Sequence, residues 1–255
     1  MELVIARTAE QMGREAARLA ADELKQVISN HGRARLLVAT GASQFTVLDH
    51  LSCHTDIDSS AVEAFHLDEY IGLRPEHPAS FCRYLKERFV DRVALHSFHY
   101  LRGDQDSASV VAAASREVAR APIDVALVGI GENAHLAFND PPADFETEAP
   151  YIIVTLDQAC RNQQVGEGWF DTLGSVPTHA ISMSVRQIMK SRRIICSVPD
   201  QRKAQAVRNS CEGAISNLYP ASILQNHRAT TLLIDDAAAS ALSTATVRSA
   251  RRVET

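Results

Sequence analysis

Apolar positions along this chain follow two rhythms. Short continuous runs, LVIA (3–6), RLLVAT (35–40), AVEAF (61–65), SFHYL (97–101), IDVALVGIG (123–131), YIIVTL (151–156), RRIICSV (192–198) and ATTLLID (229–235), have the length and composition of buried strands. Between them, apolar residues recur at helical spacing. After Thr8, Ala16, Leu19, Ala20, Leu24, Val27 and Ile28 mark one helix face, and Gln11, three residues on, suits a capping box. Further helices are expected through Val47, Leu48 and Leu51, over 80–93 after Pro78, over 107–120, over 201–211 and after Asp235, whereas the terminal RSARRVET is expected to fray. Strands alternating with helices predict an α/β fold of three layers, a mostly parallel sheet with helices on both faces, as a single domain over residues 1–255. In such sheets ligands bind beyond the carboxyl ends of the strands, so the turns there carry the search for a site.

Composition narrows the class. A chain of 255 residues with 45% hydrophobic residues can bury a sizeable core. Its 26 Lys and Arg against 31 Asp and Glu give a net charge of −5, which argues against non-specific nucleic-acid binding. No apolar run reaches the ~18–20 residues of a membrane span. The opening MELVIARTAEQMGREAARLAADEL lacks the basic and long apolar regions of a signal peptide, so a cytoplasmic location is expected. The five cysteines form no CxxC pair and read as reduced thiols. His50 and His54 would share a helix face, but no second ligand pair accompanies them, and no metal is expected.

Three strand ends carry chemistry. Thr40-Gly41-Ala42-Ser43 joins a strand to a helix; it is either a plain connection or a place for an anion such as phosphate. It matches neither GxGxxG nor GxxxxGK[ST], so dinucleotide and ATP readings lack support. After the third strand, Asp68-Glu69 offers a general base, or else a turn cap. After the fifth, Gly129-Ile130-Gly131 leads to His135 and, five residues on, Asp140. Histidine moves protons near neutral pH, and is also common as a structural residue.

The segments HLDEYIGLRPEHPASFCRYLKERF and VALVGIGENAHLAFNDP resemble the signature regions of glucosamine-6-phosphate deaminases, a group that includes 6-phosphogluconolactonases; the likeness runs from Leu3 to about Leu242. The resemblance implies a modified Rossmann-like fold, one active site at the strand ends, no cofactor, and a small-molecule sugar phosphate as partner, with neither nucleic acid nor membrane. Asp68 matches the base that moves a proton between C1 and C2 of the open-chain sugar. His135 matches the residue that opens the pyranose ring, and Asp140 a glutamate that orients it. Thr40, Gly41, Ala42 and Ser43 match the phosphate turn, Gly129 and Gly131 the glycine turn beside the substrate, Lys203 a phosphate-binding lysine and Arg161 a second phosphate ligand from a lid. Asn133 stands where the family has aspartate, Ala134 where it has glycine, and Asp140 is shorter than the family's glutamate. If residue 134 takes positive φ, alanine there costs ~1 kcal/mol. The expected activity is amino-sugar-phosphate isomerisation with deamination. The alternatives are a lactonase, with His135 activating water, and a catalytically silent sugar-phosphate domain. The sugar's C4 configuration and the oligomeric state, a homo-oligomer included, stay open.

Overall fold

In the computed structural model, which describes residues 1–254, the chain runs β1 (Glu2–Ala6), α1 (Ala9–His31), β2 (Ala34–Val38), α2 (Phe45–Leu51), β3 (Val62–His66), β4 (Asp68–Tyr70), α3 (Phe81–Arg88), β5 (Ser97–His99) and α4 (Ser107–Val118). It continues with β6 (Val125–Val128), β7 (Tyr151–Thr155), α5 (Gln158–Gly166), β8 (His179–Met183), α6 (Val185–Met189), β9 (Arg193–Val198), α7 (Ala204–Glu212), β10 (Thr230–Asp235), α8 (Thr244–Ser249) and β11 (Arg251–Arg252). Eight parallel strands form the main sheet, in the order β11-β1-β10-β9-β6-β2-β3-β5.

Successive residues of the inner strands alternate between two apolar cores. Val4, Leu36, Val38, Ala64, Leu127 and Leu233 pack under α1, α2 and α3. Ile5, Leu37, Phe65, Ala126, Val128 and Ile234 face the opposite way, against α6, α7 and the small sheet described next. Burial of both faces explains why these strands read as unbroken apolar runs. Thr8 caps α1 by accepting the Gln11 N–H, but Gln11 accepts from Arg7 instead of returning to Thr8, so only half of the capping box forms.

Several elements differ from expectation. YIIVT joins no parallel sheet: β7 pairs antiparallel with β8, and β8 with β4, in a separate three-stranded sheet. The helix expected over 80–93 ends at Arg88, and the one after Asp235 is only a 3₁₀ turn (Ala238–Ala241) before α8. The described part of the C-terminal stretch, 248–254, is held in place, because β11 extends the sheet beside β1 and Arg251 binds Glu2 and Glu15; Thr255 lies outside the described residues. His54 lies beyond the end of α2 and shares no helix face with His50. Among the described residues, no helix is long and apolar enough to cross a membrane.

Candidate active site

The main sheet's strands end in register: Val38 lies beside His66, and Val128 beside Cys196. The turns that follow β2, β3, β6 and β9 therefore meet at one edge. Thr40 to Ser43, Asp68, Gly129, Gly131, His135 and Lys203 all line a single cleft there. Gly41 adopts φ 89°, the left-handed region that glycine enters without strain. Gln44, fully buried, donates to the Val128 carbonyl and so ties this turn to the end of β6.

The two neighbouring acids after β3 divide the roles foreseen for them. Glu69 is wholly buried and accepts from the backbone N–H groups of Tyr70, Phe81 and Cys82 and from the Ser80 hydroxyl, so it caps the start of α3. Asp68 is 6% exposed, lines the cleft, and its Oδ1 has no hydrogen-bond partner. Burial, and then the charge of Glu69, push the Asp68 carboxyl up to about 8. Such a group changes protonation state near neutral pH, as a proton shuttle must.

His135 is held from behind. Its Nδ1 lies 3.0 Å from Asp140 Oδ1, close enough for a charge contact although not aligned as a hydrogen bond. Burial opposes ionisation of Asp140, but His135, the Asp157 N–H and the Asn133 amide outweigh it and hold the carboxyl below its usual range. Asn133 itself does not line the cleft. Its Oδ1 accepts the His135 backbone N–H at 3.1 Å, and its Nδ2 faces Asp140 (3.1 Å) and Asp157 (3.3 Å). Ala134 does take positive φ, 66°, so the strain anticipated for alanine is present. A Cβ on Gly131 would lie within 2.5 Å of the His135 ring, so only glycine lets the ring sit there.

Lys203 is 7% exposed, and burial lowers its pKa against the pull of Glu167 and Glu132. Arg161 does not join it. The Arg161 guanidinium donates to the carbonyls of Leu173 and Val176, pinning the loop after α5, and it is not part of the cleft wall. Arg202 stands at the cleft instead, fixed by Asp200 at 2.8 and 3.0 Å. Asp200 has φ 86°, a strained conformation for a non-glycine residue, and Asp235 holds its N–H. Sequence reasoning missed Arg202, although it adjoins Lys203. It also missed Gln163, Gln164 and Glu167, which α5 and its C-cap bring into the cleft. Glu167 Oε1 lies 3.5 Å from Lys203 Nζ.

Among the described residues, two groups of side chains have metal-ligand types within reach of one another. In His135, Asp140 and Cys160, the ligand atoms lie within 4.8 Å, but burial and nearby acids raise the Cys160 thiol far above its usual range, and a protonated thiol is a poor ligand. In Glu63, His99 and Glu117, the Arg35 guanidinium already occupies Glu63. Neither arrangement favours a cation.

A family model described as "Glucosamine-6-phosphate isomerases/6-phosphogluconolactonase" matches residues 7–233. A protein of Exiguobacterium sp. strain AT1b named glucosamine-6-phosphate deaminase is 36% identical over 94% of this chain and 91% of its own. One of Arthrobacter sp. strain FB24 with the same name is 34% identical over 95% and 93%. The solved structure of a monomeric glucosamine-6-phosphate deaminase superposes with a TM-score of 0.86 at 30% identity, covering 94% of this chain and 100% of that one. A putative 6-phosphogluconolactonase from Neisseria gonorrhoeae shares the fold at TM-score 0.74 and 18% identity, over 92% and 100%.

Proposed function

Since the chain belongs to the glucosamine-6-phosphate isomerase/6-phosphogluconolactonase family, we propose that it converts glucosamine 6-phosphate and water to fructose 6-phosphate and ammonia. The observation that carries this reading is Asp68: a buried, unpartnered carboxyl that titrates near neutral pH, in the same cleft as His135 and Lys203. Lactone hydrolysis has no comparable use for a second proton carrier. The relatives named as deaminases are 36% and 34% identical to this chain, against 18% for the lactonase.

In this reading the C6 phosphate rests against the Thr40–Ser43 turn and Lys203, and Arg202, not Arg161, is the second cation. Binding energy spent there positions C1 and C2 against Asp68. His135, backed by Asp140, moves the proton that opens the pyranose ring. Asp68 takes the proton from C2 and returns it to C1. The electron pair of the broken C–H bond shifts toward C1, the aldehyde oxygen takes up a proton and the amino group gives one up, so C1 is reduced to a hydroxymethyl group as C2 is oxidised to an imine. Water then adds to the imine and ammonia leaves. The redox change is internal to the substrate and calls for no hydride carrier. The test is an ammonia-release assay on glucosamine 6-phosphate beside a lactonase assay on 6-phosphogluconolactone. Ammonia without lactone hydrolysis is expected; lactone hydrolysis alone would overturn the reading.

A further inference from the structure

Asn133 occupies the place where the family motif has an aspartate, yet the cluster behind His135 is not short of a carboxylate. Asp157, the N-cap of α5, enters it from another part of the chain. Its side-chain Oδ2 faces Asn133 Nδ2 at 3.3 Å, and its backbone N–H donates to Asp140 Oδ2 at 3.0 Å. Its other oxygen accepts the Cys160 N–H and so caps the helix. The Asn133 amide can point only one way. Its oxygen takes the His135 N–H, which leaves its two N–H donors for the two carboxylates. An aspartate at 133 would set a third carboxylate between those two, with no proton to share.

We propose that Asp157 is a positioning residue of the histidine machinery: it locks the Asn133 amide in place and supplies, from the N-cap of α5, the carboxylate that residue 133 lacks. The proposal rests on the deaminase reading for its catalytic meaning. A negative charge behind the ring favours imidazolium, the form His135 passes through when it takes up a proton. The arrangement also joins two parts of the site, because α5 and its C-cap carry Gln163, Gln164 and Glu167 into the cleft. The other ionisable groups near the cluster are Cys160, held protonated, and Asp68, Glu167, Asp200, Arg202 and Lys203 around the cleft. None of them is altered in the test below.

The test is a swap. Asp157→Asn keeps the shape and, with its single oxygen on the Cys160 N–H, the helix cap; it removes the charge and turns an NH2 group toward Asn133 where the carboxylate oxygen had accepted. It is expected to lower kcat about tenfold with KM nearly unchanged, as for other groups that orient a catalytic ligand from behind. The His135 step of the kcat profile, distinct from the Asp68 limb near 8, should move to lower pH. Asn133→Asp alone crowds three carboxylates and should also lower kcat. The double variant Asn133→Asp/Asp157→Asn returns the cluster to two carboxylates and one amide, with the amide at 157 free to donate to the carboxylate at 133, and should recover most of the lost kcat and return the His135 step. A purely structural cap would show neither the pH shift nor the recovery. NMR titration of His135 reads the same electrostatics without substrate, so it still tests Asp157 if the protein releases no ammonia. A His135 titration unmoved by Asp157→Asn, or a double variant no better than the product of the singles, overturns the proposal.

Discussion

Replacing Gly131 with alanine should separate the histidine's position from everything else in the cleft. The new Cβ would meet His135 Cε1 and Nε2 at 2.3 Å and Cδ2 at 2.5 Å, where ordinary contact begins at 3.4 Å. The ring must therefore retreat by about 1.1 Å, because a close-packed interior cannot absorb the overlap. His135 is only 8% exposed, and its contact with Asp140 is already 3.0 Å, so the retreat takes it off the proton path proposed for it. Misplacing a catalytic group by ~1 Å costs about 10²-fold in rate, which is ~2.7 kcal/mol of transition-state stabilisation. Gly131 is not among the positive-φ glycines, so the backbone itself tolerates alanine, and overpacking should cost about 1–3 kcal/mol of stability. Steady-state ammonia release gives kcat and KM, and near-UV circular dichroism with a thermal melt shows that the variant is folded. The expected result is a kcat down about a hundredfold with KM within about twofold, since the phosphate end is untouched. A folded Gly131→Ala protein with a kcat close to wild type would refute the reasoning.

Asp68→Asn should abolish ammonia release and exchange of the C2 hydrogen while sugar-phosphate binding persists; exchange at the wild-type rate would remove Asp68 from the chemistry. In the wild type, kcat/KM should rise with pH toward about 8, because only ionised Asp68 accepts a proton. The same group makes stability fall as pH climbs from the unfolded value near 3.8 to about 8, because the native state holds a proton that the unfolded chain has released. Asp68→Asn should therefore melt higher than the wild type at pH 8 and lose that advantage near pH 4; a constant gap would count against the buried acid. Lys203→Ala and Arg202→Gln should raise KM for the phosphorylated substrate, whereas Arg161→Gln should lower the melting temperature and leave KM alone; the reverse pattern would restore Arg161 as a phosphate ligand. Glu167→Gln removes the anion that competes for Lys203, and inorganic phosphate should then bind about tenfold tighter by calorimetry. Unchanged or weaker binding would show that phosphate does not meet Lys203.

The strands of the main sheet were legible because both of their faces are buried, so that LLVA (36–39) or VALV (125–128) shows no polar interruption. The small sheet was not. Its first strand is the three residues Asp68–Tyr70, two of them acids, and nothing local announces that their partner lies at Ala180–Ser182. Helix α5 was equally silent: QACRNQQVG buries only Cys160 and Gln164 and has no apolar stripe to detect. In the site, Asp68, His135 and Lys203 were readable as polar residues just past strand ends. Asp157 and Glu167 were not, because their neighbours in the cluster are distant in sequence. The placement of Arg161 was not legible for a related reason: an arginine beside a cleft segment looks like an anion ligand, while its guanidinium fork serves two carbonyls equally well.

The pairing of Asp68 with Ser182 has a consequence for the making of the protein. The residue read here as the proton carrier emerges from the ribosome early, but the strand that seats it is synthesised more than a hundred codons later. Non-local β pairings of this kind tend to form late, after the local contacts around them. A nascent or prematurely terminated chain that ends before β8 would carry every residue of the DEY segment and still lack the backbone partner that aims Asp68 into the cleft. Competence for catalysis is thereby tied to synthesis of the chain as far as β8.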